Sequence, residues 1–221
     1  DVGKISNYAW GDDYHDLIKY RLYNLLREIK SKYPKINGIA CMDTSPIMEK
    51  DWAQKAGLGW IGKHTNLITR DYGSWIFLGE LLLDVELEYD IPFEDDLCGT
   101  CTACLDACPT DAFPEPYVLD SNKCISYLTI EHRGDLPIEL EDKLSGWIYG
   151  CDICQEVCPW NIKFSQNSNE ESFEPRLNIH NRAIEEWANL SEQEFKKIFK
   201  GNAVKRTKFS GLKRNITHNI Q

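Results

Sequence analysis

Apolar residues in the first third of the chain recur at two different spacings. Between residues 12 and 34 they fall three or four positions apart, which predicts an amphipathic helix. Residues 36–42 form a short apolar run typical of a buried strand, and residues 66–69 and 74–83 predict further strands. Thr44, Ser45 and Pro46 resemble the N-cap and first turn of a second helix that ends at Gly57. The alternation predicts an α/β lobe over residues 1–96.

The pattern differs in the last third of the chain. Residues 182–190 again show helical spacing, and Ser191 with Glu194 has the spacing of a capping box for a further helix, which Gly201 would end. Residues 166–221 are therefore predicted to be a short helical C-terminal segment. Between the two, residues 97–165 follow neither period and are dominated by cysteines. We expect an α+β protein built from these three parts.

Eight of the nine cysteines lie between residues 98 and 158. The first four have C-x2-C-x2-C-x3-C spacing with a proline directly after, the run found in bacterial two-cluster ferredoxins. Eight thiolates fit two 4Fe-4S clusters, and in this arrangement the fourth cysteine of each run binds the other cluster. The predicted ligands are Cys98, Cys101, Cys104 and Cys158 for one cluster, and Cys108, Cys124, Cys151 and Cys154 for the other.

Two other interpretations of the cysteines are weaker. Zinc sites also use C-x2-C pairs, but they rarely contain four cysteines at this spacing followed by a proline. A disulfide framework needs an oxidising compartment, whereas this chain shows no signal peptide and has an odd ninth cysteine, Cys41. Because Cys41 lies in an apolar run, we expect it to be a buried, inert thiol.

Charge is distributed unevenly along the chain. The net charge is −10, yet residues 196–221 contain eight Lys or Arg and no acid, so the first 195 residues carry −18. Thirteen acids and no Lys or Arg lie between residues 71 and 122. Negative charge near a cluster disfavours an added electron, so low reduction potentials are expected. The basic segment, interleaved with Phe209 and Leu212, suits a nucleic-acid backbone or, equally, a solvated helix face.

Two further features point to a partner for the clusters. Cys124 and Cys151 are separated by 26 residues where a plain ferredoxin has two, so this insert is expected to contact something beside the clusters. Asp43 ends the predicted strand, and a glycine-rich loop, residues 57–63, follows; strand ends facing helix starts are where α/β layers bind ligands. No C-x-x-C-H haem motif is present. A non-covalent organic or corrin cofactor is therefore predicted, with Asp43 either a proton donor or a turn carboxylate.

Several motifs together resemble the epoxyqueuosine reductase family. They cover nearly the whole chain and include the cysteine array, the residues around Tyr8 and Trp10, and the segments Asp43-Thr44-Ser45-Pro46, Gly57-Leu58-Gly59-Trp60-Ile61-Gly62-Lys63, Cys124-Ile125-Ser126-Tyr127-Leu128-Thr129-Ile130-Glu131 and Gly201-Asn202-Ala203-Val204-Lys205-Arg206. The resemblance implies an iron-sulfur and cobalamin enzyme, related to reductive dehalogenases, that reduces epoxyqueuosine to queuosine at the wobble position of tRNA.

The resemblance also implies roles for individual residues. Asp43 would be the proton donor, and electrons would pass from the two clusters to cobalamin. The implied cobalamin contacts are Tyr8, Asp43, Trp60, Lys63, Asn66, Ser126, Arg133, Cys151 and Asp152. The implied tRNA contacts are Glu131, Lys205, Arg206, Lys208, Lys213 and Arg214.

Two alternative functions would share some of these features, either the cobalamin cofactor or the clusters. A dehalogenase-like cobalamin enzyme acting on a small substrate would not need the basic segment, and a ferredoxin-type electron carrier would need neither the insert nor Asp43. We expect a cytoplasmic monomer that takes electrons from an external low-potential donor, with no membrane contact because no apolar run is long enough. The chain begins at Asp1 without methionine, and we expect it to be a fragment of a longer protein.

Overall fold

The computed structural model describes residues 2–177, 179 and 181–220. The strands are β1 (Lys4–Ile5), β2 (Gly38–Cys41), β3 (Trp60–Ile61), β4 (Leu67–Ile68), β5 (Glu80–Leu83) and β6 (Trp147–Tyr149). The helices are α1 (Tyr14–Lys32), α2 (Glu49–Lys55), α3 (Ala103–Asp106), α4 (Ile125–Ile130), α5 (Ile153–Glu156), α6 (Pro159–Phe164), α7 (Ile184–Ala188), α8 (Glu192–Ile198) and α9 (Lys208–His218). Short 3-10 turns occupy Asn7–Ala9, Ile138–Lys143, Glu171–Phe173 and Ala203–Thr207. The fold is thus a mixture of helices and short strands, as the sequence predicts.

Contacts divide the chain into two compact units. Unit 1 comprises residues 1–13, 102–158 and 167–221, and unit 2 comprises residues 14–101 and 159–166. The segments predicted from sequence, 1–96, 97–165 and 166–221, follow motifs rather than contacts, so the two divisions differ. In particular, the chain passes from unit 2 to unit 1 inside the first cysteine run.

Unit 2 is built around α1 and the antiparallel pair β2–β5. Gly38 pairs with Leu83 and Cys41 with Glu80, so the pair is in register over four residues. The helix packs closely against the strands, since a Cβ on Gly38 would lie 2.8 Å from the Leu26 side chain. The predicted first helix and the strand over residues 36–42 are therefore confirmed, with β2 shorter than the apolar run.

Two expectations for unit 2 are wrong in their boundaries. The second helix begins at Glu49 rather than within the predicted Thr44-Ser45-Pro46 start, because the Ser45 hydroxyl accepts a hydrogen bond from the backbone N–H of Met42, 3.3 Å away, within the preceding turn. The predicted strand over residues 74–83 forms only at Glu80–Leu83, where β2 supplies a partner. An apolar run without a neighbouring strand has no ladder to join.

Unit 1 has a core of helices around the parallel pair β1–β6. Leu128, Leu140, Leu144 and Trp147 belong to one buried cluster that fills the insert between Cys124 and Cys151. Asn215 of α9 ties the insert to the C-terminal segment, because its amide donates to the carbonyls of Thr129 at 2.8 Å and Ile148 at 2.9 Å. The insert is therefore a packed part of unit 1.

The C-terminal segment confirms the predicted local signals. Ser191 and Glu194 form both hydrogen bonds of a capping box at the start of α8. Gly201, just beyond α8, has φ +64°, a conformation that glycine adopts without strain. None of the described helices is both long enough and apolar enough to cross a membrane.

Candidate active site and cluster-binding cysteines

Asp43 lies in the turn that leaves the carboxyl end of β2. Its Oδ2 lies 2.8 Å from Nε2 of His15, in the first turn of α1, and the two side chains are 43% and 24% exposed. Asp43 has φ +30°, a backbone conformation in which short polar residues such as aspartate are enriched. The strand end predicted as a ligand site therefore carries a carboxylate that is reachable from solvent and paired with an imidazole.

His15 was not predicted as a site residue. Its ring stacks on Tyr14 with centroids 4.1 Å apart, and Tyr14 in turn stacks on Phe77 at 4.4 Å. These contacts fix the ring that faces Asp43. The only signal in the sequence is a histidine in the first turn of a strongly predicted helix, which by itself does not indicate proximity to a residue 28 positions away.

Four of the predicted cluster ligands lie together in unit 1: Cys108, Cys124, Cys151 and Cys154. Burial, reinforced by the charges of the neighbouring thiols, raises the pKa of Cys151 to about 12. Burial also raises the pKa of Cys124, to which Cys108 adds, and the pKa of Cys154, to which Cys151, Cys124, Cys108 and also Cys104 of the other predicted set add. Four thiols close enough to oppose one another's ionisation need a cation to become thiolates, which is what iron supplies.

Backbone N–H groups point at the sulfur atoms of this set. Ala112 N–H donates to Cys108 Sγ at 3.4 Å, and hydrogen bonds from Ile153 N–H to Cys151 and from the N–H groups of Ser126 and Tyr127 to Cys124 oppose the pKa rise. Such bonds favour the thiolate form and tune iron-sulfur clusters. The donor chemistry of this set therefore fits a 4Fe-4S cluster.

The other predicted ligand set divides between the units. Cys98 and Cys101 belong to unit 2, while Cys104 and Cys158 are buried in unit 1. Among the described residues, no group of three His, Cys, Asp or Glu side chains is arranged around a single metal ion. In a 4Fe-4S cluster each thiolate binds its own iron, so four ligands need not converge on one point. This ligand set stays a prediction.

Two residues of the glycine-rich loop in unit 2 hold the cysteine run. Lys63 Nζ donates to the carbonyls of Gly99 at 2.6 Å and Cys101 at 2.9 Å, and Trp60 Nε1 lies 3.5 Å from Cys98 Sγ. The Trp60 ring is buried and packs between Phe93 and Trp160. The Lys63 ammonium and the Trp60 indole N–H are thus both bound to the protein itself. Their contacts indicate that they support the loop that carries Cys98 and Cys101.

Asn66, another implied cobalamin contact, lies three residues after this loop. Its backbone N–H donates to Nδ1 of His64 at 3.2 Å, and its carbonyl accepts from Gly62 N–H at 2.8 Å, so the loop folds back on itself. His64 is 3% exposed, and burial lowers its pKa to about 4. The segment therefore folds around a neutral histidine, and the half-buried Asn66 lies two residues after that histidine.

In unit 1, Asp152 is fixed by the start of the chain. Its carboxylate accepts hydrogen bonds from the Ser6 hydroxyl and, at 2.8 Å, from the Asn7 N–H. Asp152 is 2% exposed, and burial raises its pKa to about 6. Because it follows the predicted ligand Cys151, it anchors the β1 end of the chain beside the cluster-binding loop.

Two more implied cobalamin contacts in unit 1 have protein partners. Tyr8 donates to the Tyr149 hydroxyl at 3.1 Å, and Tyr149 donates to the Ala203 carbonyl at 2.8 Å. Arg133 is exposed and donates to the Ile130 carbonyl at 2.8 Å. Ser126 is half-buried in the first turn of α4. The structure thus spreads the implied cobalamin residues over both units, and their contact with the cofactor stays a prediction.

The six implied tRNA contacts differ in how they are engaged. Arg206 forms an ion pair with Glu131, and Lys213 donates to the Ala188 carbonyl. Arg214 donates to the carbonyls of Leu128 at 2.6 Å, Gly134 at 2.7 Å and His132 at 3.1 Å. These three cations therefore also hold the insert and the helices together. Lys205 and Lys208 are exposed to solvent.

Two family descriptions match the chain. Residues 97–161 match the 4Fe-4S double cluster binding domain, and residues 1–44 match the family described as Epoxyqueuosine reductase QueG, DUF1730. The first match covers all eight predicted cluster cysteines and supports an iron-sulfur protein. The second covers Asp43 and His15.

Curated relatives are similar over almost the whole chain. An epoxyqueuosine reductase of Cellulophaga algicola is 49% identical over 213 residues, which are 96% of this chain and 69% of that protein. One of Synechocystis sp. is 48% identical over 99% of this chain and 76% of its own length. The Escherichia coli protein of the same name is 45% identical over 97% of this chain and 56% of its own length.

Solved structures agree with the fold. The chain superposes on an epoxyqueuosine reductase bound to an epoxyqueuosine-modified tRNA-Tyr stem loop with a TM-score of 0.92 and 34% identity, over 99% of this chain and 57% of that one. A Bacillus subtilis epoxyqueuosine reductase, in which an aspartate-bearing catalytic loop is swung out of the active site, gives a TM-score of 0.92 at 33% identity with the same coverage. The chain thus spans less than two thirds of the solved structures it matches.

Proposed function

The chain belongs to the epoxyqueuosine reductase family, and on that basis we propose that it reduces epoxyqueuosine to queuosine in tRNA. The observation that carries the proposal is the Asp43 carboxylate, accessible at a strand end and 2.8 Å from His15. The catalytic aspartate loop of the Bacillus subtilis relative supports the same assignment. A carboxyl group in such a place can donate a proton to a reacting oxygen.

The balance of the reaction defines what the chain must supply. Both C–O bonds of the epoxide break, a C=C bond forms and the oxygen leaves as water, which takes two electrons and two protons. Asp43 would deliver one proton to the departing oxygen, with His15 holding the carboxyl in place. The aspartate must regain a proton in each cycle, and its partial exposure allows that.

The electrons would come through the two clusters from an external donor of low potential. Bound at the eight cysteines, 4Fe-4S clusters supply one-electron reducing chemistry. The thiols of Cys108, Cys124, Cys151 and Cys154 fit this role because they are half-buried, repel one another when ionised, and accept hydrogen bonds from backbone N–H groups. Exposed acids in residues 84–96 would help to keep the cluster potential low.

Cobalamin is the proposed cofactor at the epoxide, where it would supply a strongly reducing metal centre. Asn66 and Ser126, which are half-buried polar residues, fit contacts with its amide groups, whereas the Tyr8 hydroxyl already donates to Tyr149. Trp60, Lys63, Arg133 and Asp152 have protein partners, so we assign them first to positioning the cysteine loops and the start of the chain. Cys151 would contribute through its cluster.

For the tRNA, we propose that Lys205 and Lys208 bind backbone phosphates, while the Glu131–Arg206 pair lies near the modified nucleotide. The relative that holds a tRNA stem loop supports a nucleic-acid substrate. Arg214 and Lys213 would act by keeping this surface folded. A cytoplasmic location and a monomeric state stay predictions.

A complementation experiment tests the proposal. The chain is expressed in a host that lacks its own epoxyqueuosine reductase, and tRNA nucleosides are separated by liquid chromatography and identified by mass. We expect the epoxyqueuosine peak to fall and queuosine to appear. Unchanged epoxyqueuosine, with the chain folded and both clusters present by iron content, would reject the proposed activity.

A further inference from the structure

The backbone N–H of Asp43 is hydrogen-bonded by a carboxylate side chain of α2. Glu49, the first residue of α2, accepts the backbone N–H of Asp43 on Oε1. The Asp43 turn has a positive φ, so it needs such a contact to persist. The negative charge of Glu49 is well suited to the task because hydrogen bonds to a charged acceptor are stronger than neutral ones.

A second carboxyl group, that of Glu80, is close enough to Glu49 for the charge of Glu49 to act on it. Glu80 begins β5 and pairs with Cys41, two residues before Asp43. Its Oε2 is buried and has no hydrogen-bond partner among the described residues. A buried carboxylate oxygen without a donor is costly, whereas a neutral acid in the same place is tolerated. Glu80 was not predicted as a site residue, since a lone acid among apolar residues usually marks only a strand edge.

The charges of Asp43, Lys50 and His15 act on this pair. Burial first, and then the charge of Glu49, raises the pKa of Glu80 to about 7. Burial likewise raises the pKa of Glu49; the hydrogen bond from the Asp43 N–H opposes the rise, as do Lys50 and His15, while the charge of Asp43 adds to it. Lys50 itself donates to the Thr65 carbonyl at 2.7 Å. Near neutral pH, Glu80 is therefore the group that gives up or keeps a proton.

We propose that Glu49 and Glu80 are positioning residues for Asp43: Glu80 keeps a proton, so that Glu49 carries the single negative charge of the pair and holds the Asp43 amide. This inference deepens the proposed function and rests on it only for the role of Asp43. No covalent step is assigned to the pair.

The pair makes the Asp43 turn sensitive to pH. The folded protein favours neutral Glu80, so the stabilising arrangement is complete below the ordinary glutamate pKa of 4.5 and is lost as pH rises through about 7. Above that pH a second negative charge repels Glu49 and weakens its hold on the turn. Glu80→Gln mimics the neutral acid at every pH and removes this sensitivity.

The test uses two measurements on the whole chain, neither of which needs substrate. Infrared difference spectra between wild type and Glu80→Gln should contain a protonated-carboxyl band at pH 6 that is half lost near pH 7. Hydrogen–deuterium exchange followed by mass spectrometry should show residues 42–49 exchanging several-fold faster in wild type than in Glu80→Gln at pH 8, and equally at pH 5.5. Glu49→Gln should exchange faster than wild type at both pH values.

Glu88→Gln is the matched control because Glu88 is exposed in the acidic segment after β5. It should leave the exchange of residues 42–49 as in wild type at both pH values. The inference is overturned if no protonated-carboxyl band is lost with Glu80→Gln, or if wild type and Glu80→Gln exchange alike at pH 8. If the complementation experiment shows no queuosine while the infrared and hydrogen-exchange results are as expected, the proposed function is rejected and the proposed role of the carboxyl pair is retained.

Discussion

Single residues in unit 2 are defined by partners that sequence spacing does not reveal. That Asp43 is a candidate site residue could be predicted, because the apolar run before it indicates a buried strand with an acid at its end. Its surroundings could not, since the partner His15 lies 28 positions away on α1, and Glu80, 37 positions away, is brought near its strand only by the β2–β5 pairing. Lys63 was predicted to meet a ligand, and its observed acceptors are the carbonyls of the cysteine run.

His64 gives a prediction at this scale. Its folded-state pKa of about 4 lies below the ordinary 6.5, so the stability that comes from its neutrality is complete above pH 6.5 and is lost as pH falls toward 4. The shift corresponds to about 3 kcal/mol at about 1.4 kcal/mol per pKa unit. His64→Asn keeps an acceptor for the Asn66 N–H but cannot become charged. The stability advantage of wild type over His64→Asn should therefore shrink as the pH is lowered.

Thermal unfolding midpoints of both proteins, measured anaerobically at pH 7 and pH 4.5, check this expectation. His132→Asn, at a more exposed histidine that bonds to the Asp135 carbonyl, is the matched control. A constant difference between wild type and His64→Asn across the two pH values would show that burial does not govern this histidine.

Among the helices and strands, local sequence signals were sufficient to predict the features whose contacts lie within one turn of the chain. The capping box at Ser191 and the helical period of α1 were predicted correctly because their partners lie within one turn. The start of α2 was predicted wrongly because the Ser45 hydroxyl serves the turn behind it. The role of the insert in packing against α9 follows from contacts such as that of Asn215 with Thr129, which no local pattern encodes.

Asn202 provides the element-scale prediction. It is 1% exposed; its amide donates to the carbonyls of Ala9 at 2.7 Å and Gly11 at 2.6 Å, and its Oδ1 accepts from Val204 N–H at 2.9 Å. Asn202→Ala leaves three buried backbone groups without this partner, so the free energy of unfolding should fall by about 3 kcal/mol. Asn167→Ala, at an exposed position of the same unit, should change it by less than about 0.5 kcal/mol.

Denaturant titration of the two variants and wild type measures both values. Equal stability of Asn202→Ala and Asn167→Ala would contradict the assigned role of Asn202 in joining the C-terminal segment to the start of the chain.

For the whole molecule, the uneven distribution of charge could be seen in the sequence. Which of the cations bind the protein itself and which face solvent could not. The run of eight cations left open a nucleic-acid surface or a solvated helix face, whereas Lys213 and Arg214 bind carbonyl groups of the protein. The cluster cysteines were the most predictable feature, because their spacing is set by the cluster itself. The family match over residues 97–161 supports a domain with two 4Fe-4S clusters, and the assignment of each cysteine stays a prediction.

The remaining lysines carry a prediction about tRNA. If Lys205 and Lys208 bind phosphates, Lys205→Gln/Lys208→Gln should weaken binding of a tRNA stem loop and lower the slope of log affinity against log salt by about 1 for each phosphate that is no longer neutralised. Lys30→Gln/Lys35→Gln removes the same charge from exposed positions at and just beyond the end of α1 and should leave the slope unchanged. Fluorescence anisotropy at several salt concentrations measures both slopes. An equal decrease in the two double variants would mean that net charge alone, rather than this segment, sets the affinity.

Turnover of epoxyqueuosine tRNA by wild type and Asp43→Asn is the most direct measurement of the central claim. Both proteins are loaded anaerobically with iron, sulfide and cobalamin, reduced to the same extent, and given the same tRNA, and queuosine is measured by mass spectrometry. Asp43→Asn keeps the size of the side chain but cannot donate the proton, so turnover should fall by about a hundredfold or more while iron content and the cluster spectrum stay those of wild type. Turnover within a few-fold of wild type would contradict the account.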